Sequence, residues 1–247
     1  MKICLAAATT RKFLLPEFNK CQFFLESFYS MEDWLLPTVH DCDFFMLDSG
    51  AFTFMNTKKD TTVDFYEYVD RYAEFINQNN IEHFFEMDVD VVVGLQEVEK
   101  LRNRLEAKTG KQCIPVWHKD RGKEYFLSMC RDYNYISIGG IVTKEIPPSD
   151  YKYFAWFIDK AHEHDCQIHG LGFTNLRGLY EYHFDSVDST AWLSGGRYGT
   201  LYRFNGTRLV NVDTDGRRRK EDLSHEYIDR HNYYEWVKFQ RYAAKRL

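Results

Sequence analysis

The sequence predicts a compact TIM-type (β/α)8 barrel, and three observations carry that prediction. Short apolar runs alternate with amphipathic stretches of about ten to eighteen residues, the order expected of parallel βαβ units. The runs repeatedly stop at an acid, a histidine or a glycine: FFMLDSGAF (44–52), HFFEMDVD (83–90), CIPVWHKD (113–120), YISIGGI (135–141), QIHGLGF (167–173) and FDSVDST (184–190). A charge at the end of a buried strand is tolerated only at a mouth or in a paired site, so these ends point to one shared rim. The length of 247 residues suits one such domain, since α/β barrels commonly take about 250. An open doubly wound sheet fits less well. No G-x-G-x-x-G follows the first strand, and the chemistry-bearing residues are spread over many strand ends rather than one switch point.

Composition narrows the class. Hydrophobic residues make up 44% of the chain and aromatic ones 17%, enough for a substantial core. The net charge of −5 gives no global nucleic-acid signature, so any such signal must be local. The six cysteines contain no C-x-x-C pair and read as reduced thiols of an intracellular, cytoplasmic protein. No run approaches about 18 apolar residues, so no membrane span is expected.

The elements follow in order. Residues 2–9 make a small-residue strand; the start, MKICLAAATT, has too short an apolar run for a signal peptide. Residues 10–43 read as irregular and aromatic, with helical pieces around Asn19–Ser27 and Met31–Leu36. After strand 44–52, Thr61–Asp64 resembles a capped helix start, and Val63, Tyr66, Val69, Tyr72 and Ile76 form one helical stripe. Strand 83–90, helix 95–108, strand 113–118, helix 122–131 and strand 135–141 continue the alternation. After Pro147 and Pro148 a helix runs to about His164, then come strand 167–173, a short helix at 176–182 and strand 184–190. The eighth strand is harder to place. GTLYRF and TRLVNV, separated by Asn205-Gly206, read as a hairpin with a type I′ turn at about 200–213. One of its strands closes the barrel, or the hairpin decorates it. A terminal helix covers about 223–246, and the whole chain reads as a single domain, 1–247.

Asp48 and Asp188 each end an apolar strand. Two carboxylates at one barrel mouth suit chemistry at an anomeric carbon, one attacking and the other handling protons. Glu86, Asp88 and Asp90 alternate along their strand, and three acids on one inner face are costly unless they serve a site. His162, His164, Cys166 and His169 do not make a metal site, because residues two apart on a helix do not face one another. No metal and no cofactor are expected.

These residues resemble a known family. DSGAF is similar to the DSGGF or DSGGY motif of the guanine transglycosylases, which insert 7-deazaguanine bases into tRNA or phage DNA. IGGI resembles the family's paired-glycine loop, HGLGF its later Gly-x-Gly loop, and VDS followed by GRYG its nucleophile strand and arginine loop. TLYRFNGTRLVNV resembles the hairpin that follows, so the likeness covers about residues 44–213. The resemblance implies that Asp188 attacks C1′ to give a covalent intermediate, that Asp48 is the general acid/base, and that Phe52 stacks on the base. It further implies that Asp88 accepts from N1–H and the exocyclic amine of guanine, that Gly139 and Gly140 bring backbone N–H groups to O6, and that Gly170 belongs to the base-binding loop. His118 falls where the family has a polar base contact. Whether Asp88 or Asp90 reads the base stays open. A carboxylate there complements guanine's donor edge with charge-assisted hydrogen bonds.

Local charge supplies a polymer-binding edge. Arg197, Arg203, Arg208, Arg217, Arg218, Arg219 and Lys220 face only Asp213 and Asp215, a surplus that phosphate contacts require. The tRNA enzymes of the family bind structural zinc through clustered cysteines after the nucleophile strand, and no cysteine follows Cys166. The expectation is therefore a barrel without a zinc subdomain, most similar to the small phage-type 7-deazaguanine DNA transglycosylases. Its partners would be DNA in preference to tRNA and a 7-deazaguanine-type free base. Its place would be the cytoplasm, the host's if phage-encoded, and its state is compatible with a homodimer. The alternatives are a tRNA-guanine transglycosylase, a nucleosidase or N-glycoside hydrolase on the same barrel, and a non-catalytic nucleic-acid-binding relative.

Overall fold

A computed structural model describes residues 1–51, 53, 63–195, 199–212 and 224–247. Parallel strands follow one another around a barrel in sequence order: β1 (Lys2–Ala6), β2 (Phe23–Ser27), β3 (Phe44–Asp48), β4 (His83–Phe84), β5 (Val116–Trp117), β6 (Tyr135–Ile138), β7 (Gln167–Gly170) and β8 (Ser186–Ser189). β1 pairs with both β2 and β8. The seam between β4 and β5 is joined by a parallel bridge, Phe85 to Ile114. There Ile114 N donates to Phe84 O at 2.8 Å and Glu86 N donates to Ile114 O at 3.1 Å. The helices between strands are α1 (Leu36–Asp41), α2 (Phe65–Gln78), α3 (Asp90–Val93), α4 (Leu95–Thr109), α5 (Gly122–Asp132), α6 (Phe154–His162) and α7 (Gly178–Glu181). The predicted (β/α)8 architecture is the one observed.

The missing strand lies in a stretch that reads as helical. Phe23–Ser27 is β2, in register with β3 from Phe23–Phe44 to Ser27–Asp48. Its run of three apolar residues has no glycine or proline to mark its end, and it is fed by a 3-10 segment, Ala8–Lys20. The hairpin therefore decorates the barrel instead of closing it. Its strands β9 (Tyr202–Phe204) and β10 (Leu209–Asn211) form a separate antiparallel pair. Beyond the Phe204–Leu209 pair, Asn205 N donates to Arg208 O at 3.0 Å, so the chain reverses over Gly206-Thr207, one position past the turn expected at Asn205-Gly206.

Side-chain alternation splits the core in two. Cys4, Leu25, Met46, Phe85, Val116 and Tyr135 fill the barrel interior, and a larger cluster packs between strands and helices. α2 shows how the outer layer forms. Asp64 caps it by accepting from Tyr66 N and Glu67 N, and Val69, Tyr72 and Ile76 are buried. Tyr66 departs from the predicted stripe: it is exposed and its hydroxyl donates to Glu97 at 2.6 Å. The terminal helix α8 (His225–Arg246) buries Tyr233, Trp236 and Phe239. Its buried Gln240 straps β1 to β2, donating to Ile3 O at 2.7 Å and to Phe23 O at 2.9 Å. Interior positions two residues beyond the apolar layers then fall at the carboxyl rim: Ser27, Asp48, His118 and Asp188.

Candidate active site

A cavity of about 800 Å³ opens at that rim, and Asp48, Asp88, His118, Gly139, Gly140 and Asp188 all line it. The strand ends thus bring together six of the eight residues expected to act on the base or the sugar. Gly170 does not line the cavity; a side chain there would meet Phe173 and Phe184 in the outer layer, at 3.2 and 3.3 Å. The loop contributes Leu171 and Gly172 instead. Arg203 and Arg208 are exposed on the hairpin and do not line the cavity, and the Arg208 guanidinium lies 5.7 Å from the Tyr180 ring centroid. Phe52, Arg197, Arg217, Arg218 and Arg219 lie outside the described residues.

The two principal carboxylates sit in different surroundings. Asp48 Oδ2 accepts from Gly50 N at 2.8 Å. Burial, reinforced by the charges of Asp188 and Asp88, pushes the Asp48 pKa from 3.8 to about 6 despite the bonds from Gly50 and Ser27. Asp188, only 8% exposed, is held by two donors on one oxygen. Gly172 N donates to Asp188 Oδ1 at 2.5 Å and His169 Nε2 lies 3.2 Å from the same atom. Gly172 has φ +70, and a Cβ there would run into Val142, so this donor needs glycine.

Across the mouth stands a charged cluster. His118 Nε2 is 2.8 Å from Asp88 Oδ2 and Nδ1 is 2.9 Å from Glu145 Oε2. Burial lowers the His118 pKa, but the bond and charge of Asp88 and the bond to Glu145 outweigh it and raise the pKa to about 9. His118 is therefore an imidazolium at neutral pH, both N–H groups donating to carboxylates. The alternating acids do not share one face. β4 ends at Phe84; Glu86 turns outward, fully buried, to Arg102 at 2.6 Å, while Asp90 opens α3. Arg121 ties the three together, with Nη1 3.2 Å from Glu86, and Nη2 3.2 Å from Asp88 and 2.8 Å from Asp90. Of Asp88 and Asp90, only Asp88 lines the cavity.

Asp88, Asp90 and His118 offer donor atoms within 4.8 Å of one another, spacing that a metal ion would accept. The Arg121 guanidinium already bridges the two aspartates, and His118 donates into Asp88 rather than presenting a lone pair. The donor set as arranged is a salt-bridge cluster. His162, from the other histidine group, pairs with Asp185 at 3.0 Å at the amino end of β8. Asp185 thus stands just before β8, at the end away from Asp188 and the rim.

Sequence reading missed His169, Gly172, Glu145 and Glu26. Glu26 lines the cavity from β2, accepting from Ala8 N and from Thr9 Oγ1, and burial pushes its pKa up to about 8. A signal existed for His169: it stands two residues before Leu171 on an interior face, where apolar residues are the rule. Among the described residues no lysine or arginine lines the cavity.

No protein-family model and no curated protein matches this chain. Among solved structures it is similar to one described as a fructose-1,6-biphosphate aldolase from Coccidioides immitis, with TM-score 0.56 and 10% identity over 98% of this chain and 89% of that one. It is also similar to the carboxyl transferase domain of Rhizobium etli pyruvate carboxylase, with TM-score 0.47 and 14% identity over 98% of this chain and 48% of that chain. At such identities the first likeness carries the barrel fold and nothing about the reaction. No helix among the described residues is long and apolar enough to cross a membrane.

Proposed function

We propose that this chain is an enzyme that exchanges guanine in nucleic acid for a 7-deazaguanine-type base through a covalent intermediate on Asp188. One observation carries the reading: Asp48 and Asp188 line the same cavity, the first with a pKa near 6 and the second with one oxygen held by two N–H donors. Carboxylates set apart in this way divide into acid and nucleophile. Asp188 attacks C1′, the glycosidic bond breaks toward the base, and protonated Asp48 delivers the proton that the leaving base takes up. The reverse sequence admits the new base. Asp88 serves as acceptor for the donor edge of guanine, oriented by His118 and Arg121. Gly139 N already donates to Trp117 O at 2.9 Å, which leaves the Gly140 turn to approach O6.

The absence of lysine and arginine from the described lining favours a neutral, donor-rich base over a bisphosphate sugar, and no lysine stands there to form a Schiff base. A volume of about 800 Å³ accommodates a nucleoside. DNA is preferred to tRNA because the sequence holds no cysteine after Cys166 to build the zinc-bearing subdomain of the tRNA enzymes. Incubation with radiolabelled guanine and, separately, duplex DNA, single-stranded DNA and tRNA tests the reading. Labelled DNA supports it, and labelled tRNA alone overturns the DNA preference. Base released without any reincorporation identifies a hydrolase instead.

A further inference from the structure

A polar line inside the barrel is left unused by the exchange chemistry. His169 is fully buried on β7 and is the cross-strand partner of Ser186 on β8. Its Nδ1 lies 2.6 Å from Ser186 Oγ, and its Nε2 3.2 Å from Asp188 Oδ1. Ser186 Oγ is in turn 2.5 Å from the Tyr135 hydroxyl. The two-residue period puts Ser186 and Asp188 on the same inward face of β8. The line therefore climbs the barrel from Tyr135, at the start of β6, to the rim. Its walls are apolar: the Phe85 ring packs edge-on against His169 with centroids 5.3 Å apart, and Met46 Sδ is 3.7 Å from Ser186 Oγ.

Donors and acceptors fix its direction. A carboxylate only accepts, so the proton of the last bond sits on His169 Nε2. In the neutral imidazole that proton leaves Nδ1 as the acceptor, and the Ser186 hydroxyl supplies the donor it takes. The Ser186 oxygen accepts in turn from Tyr135, whose phenol burial keeps protonated by pushing its pKa far up. Each hydroxyl hydrogen is used once, and no polar atom of the line needs water.

We propose that His169, oriented by Ser186 and Tyr135, is a positioning residue for Asp188: with Gly172 N–H it holds Oδ1 and leaves Oδ2 as the oxygen aimed at the sugar. The inference rests on Asp188 being the nucleophile. When Oδ2 bonds to C1′ and the glycosidic electron pair leaves with the base, Oδ1 becomes the ester carbonyl oxygen. It still accepts from both donors, so the carboxylate rotates neither before nor during attack. Residues that fix a reacting group in this way act on turnover more than on substrate affinity.

Two variants of the full chain test this. His169→Phe keeps the ring volume and removes the donor; His169→Gln keeps an amide N–H able to reach Oδ1. Guanine exchange on an oligonucleotide should show kcat reduced on the order of 100-fold in His169→Phe, with KM nearly unchanged, and most of that loss recovered in His169→Gln. ¹⁵N spectra of histidine-labelled wild type should show His169 as the Nε2–H tautomer, a preference lost in Asp188→Ala. An undiminished kcat in His169→Phe, a His169→Gln variant no better than His169→Phe, or an Nδ1–H tautomer overturns the proposal. A wild type that exchanges no base removes the nucleophile reading instead, and the tautomer result still decides whether His169 holds Asp188.

Discussion

Replacing Asp48 with asparagine should stabilise the protein at neutral pH while abolishing the proposed base exchange. Burial and the neighbouring Asp188 and Asp88 raise the Asp48 pKa from 3.8 to about 6. An aspartate with a raised folded pKa favours folding at low pH, and that advantage is lost as pH rises from about 4 through 6. The full shift corresponds to about 3 kcal/mol at 1.36 kcal/mol per pH unit. Asp48 is half-buried at a cavity wall and retains part of its hydration, so about 2 kcal/mol is the expected cost of ionising it in the folded state. Asp48→Asn removes that cost. Urea unfolding by linear extrapolation should therefore show the variant more stable by about 2 kcal/mol near pH 7.5 and by less than about 1 kcal/mol near pH 4. An equal effect at both pH values, or a variant less stable than wild type near pH 7.5, would refute the electrostatic account of Asp48.

Two further outcomes follow from the opposite side of the mouth. Arg121→Met leaves Glu86, fully buried, and the Asp88–Asp90 pair without their shared cation, and should destabilise by about 3–5 kcal/mol in the same unfolding assay; a loss below about 1 kcal/mol would show that the cluster is not held by Arg121. Gly139→Ala places a Cβ 2.8 Å from the His118 ring and from Val116 Cγ1, so it should cost about 1–3 kcal/mol and displace His118 from Asp88. An unshifted His118 resonance in that variant would contradict the packing.

The barrel was legible because its strands end in punctuation. FFMLDSG and YISIGG stop at glycines and SVDST at a carboxylate, and those stops mark β3, β6 and β8 in the structure. β2 was not legible, because FFLES stops at no glycine and its buried acid, Glu26, makes an alternation argument fail. Glu26 is tolerated there because the 3-10 segment after β1 brings Ala8 and Thr9 onto its carboxylate, contacts across 18 and 17 positions of chain. At the site, side chains at strand ends were readable one at a time, and the structure places Asp48, Asp88, His118 and Asp188 on one cavity. Their partners were not, since the Gly172 N–H and the His169 ring reach Asp188 only once β7 and β8 are adjacent. The Glu86–Asp88–Asp90 alternation misled for a related reason: the strand stops before those acids, so the period of two no longer applies.

The central claim is that Asp188 becomes bonded to the nucleic acid. The direct measurement is intact-protein mass spectrometry, with peptide mapping, after acid quench of wild type and Asp188→Asn incubated with guanine-containing single-stranded DNA. Wild type should give a protein–oligonucleotide adduct on the peptide containing Asp188, depleted by adding free 7-deazaguanine base, and Asp188→Asn should give none. An adduct mapped to another residue, or base exchange that persists in Asp188→Asn at a rate within about tenfold of wild type, would contradict the claim.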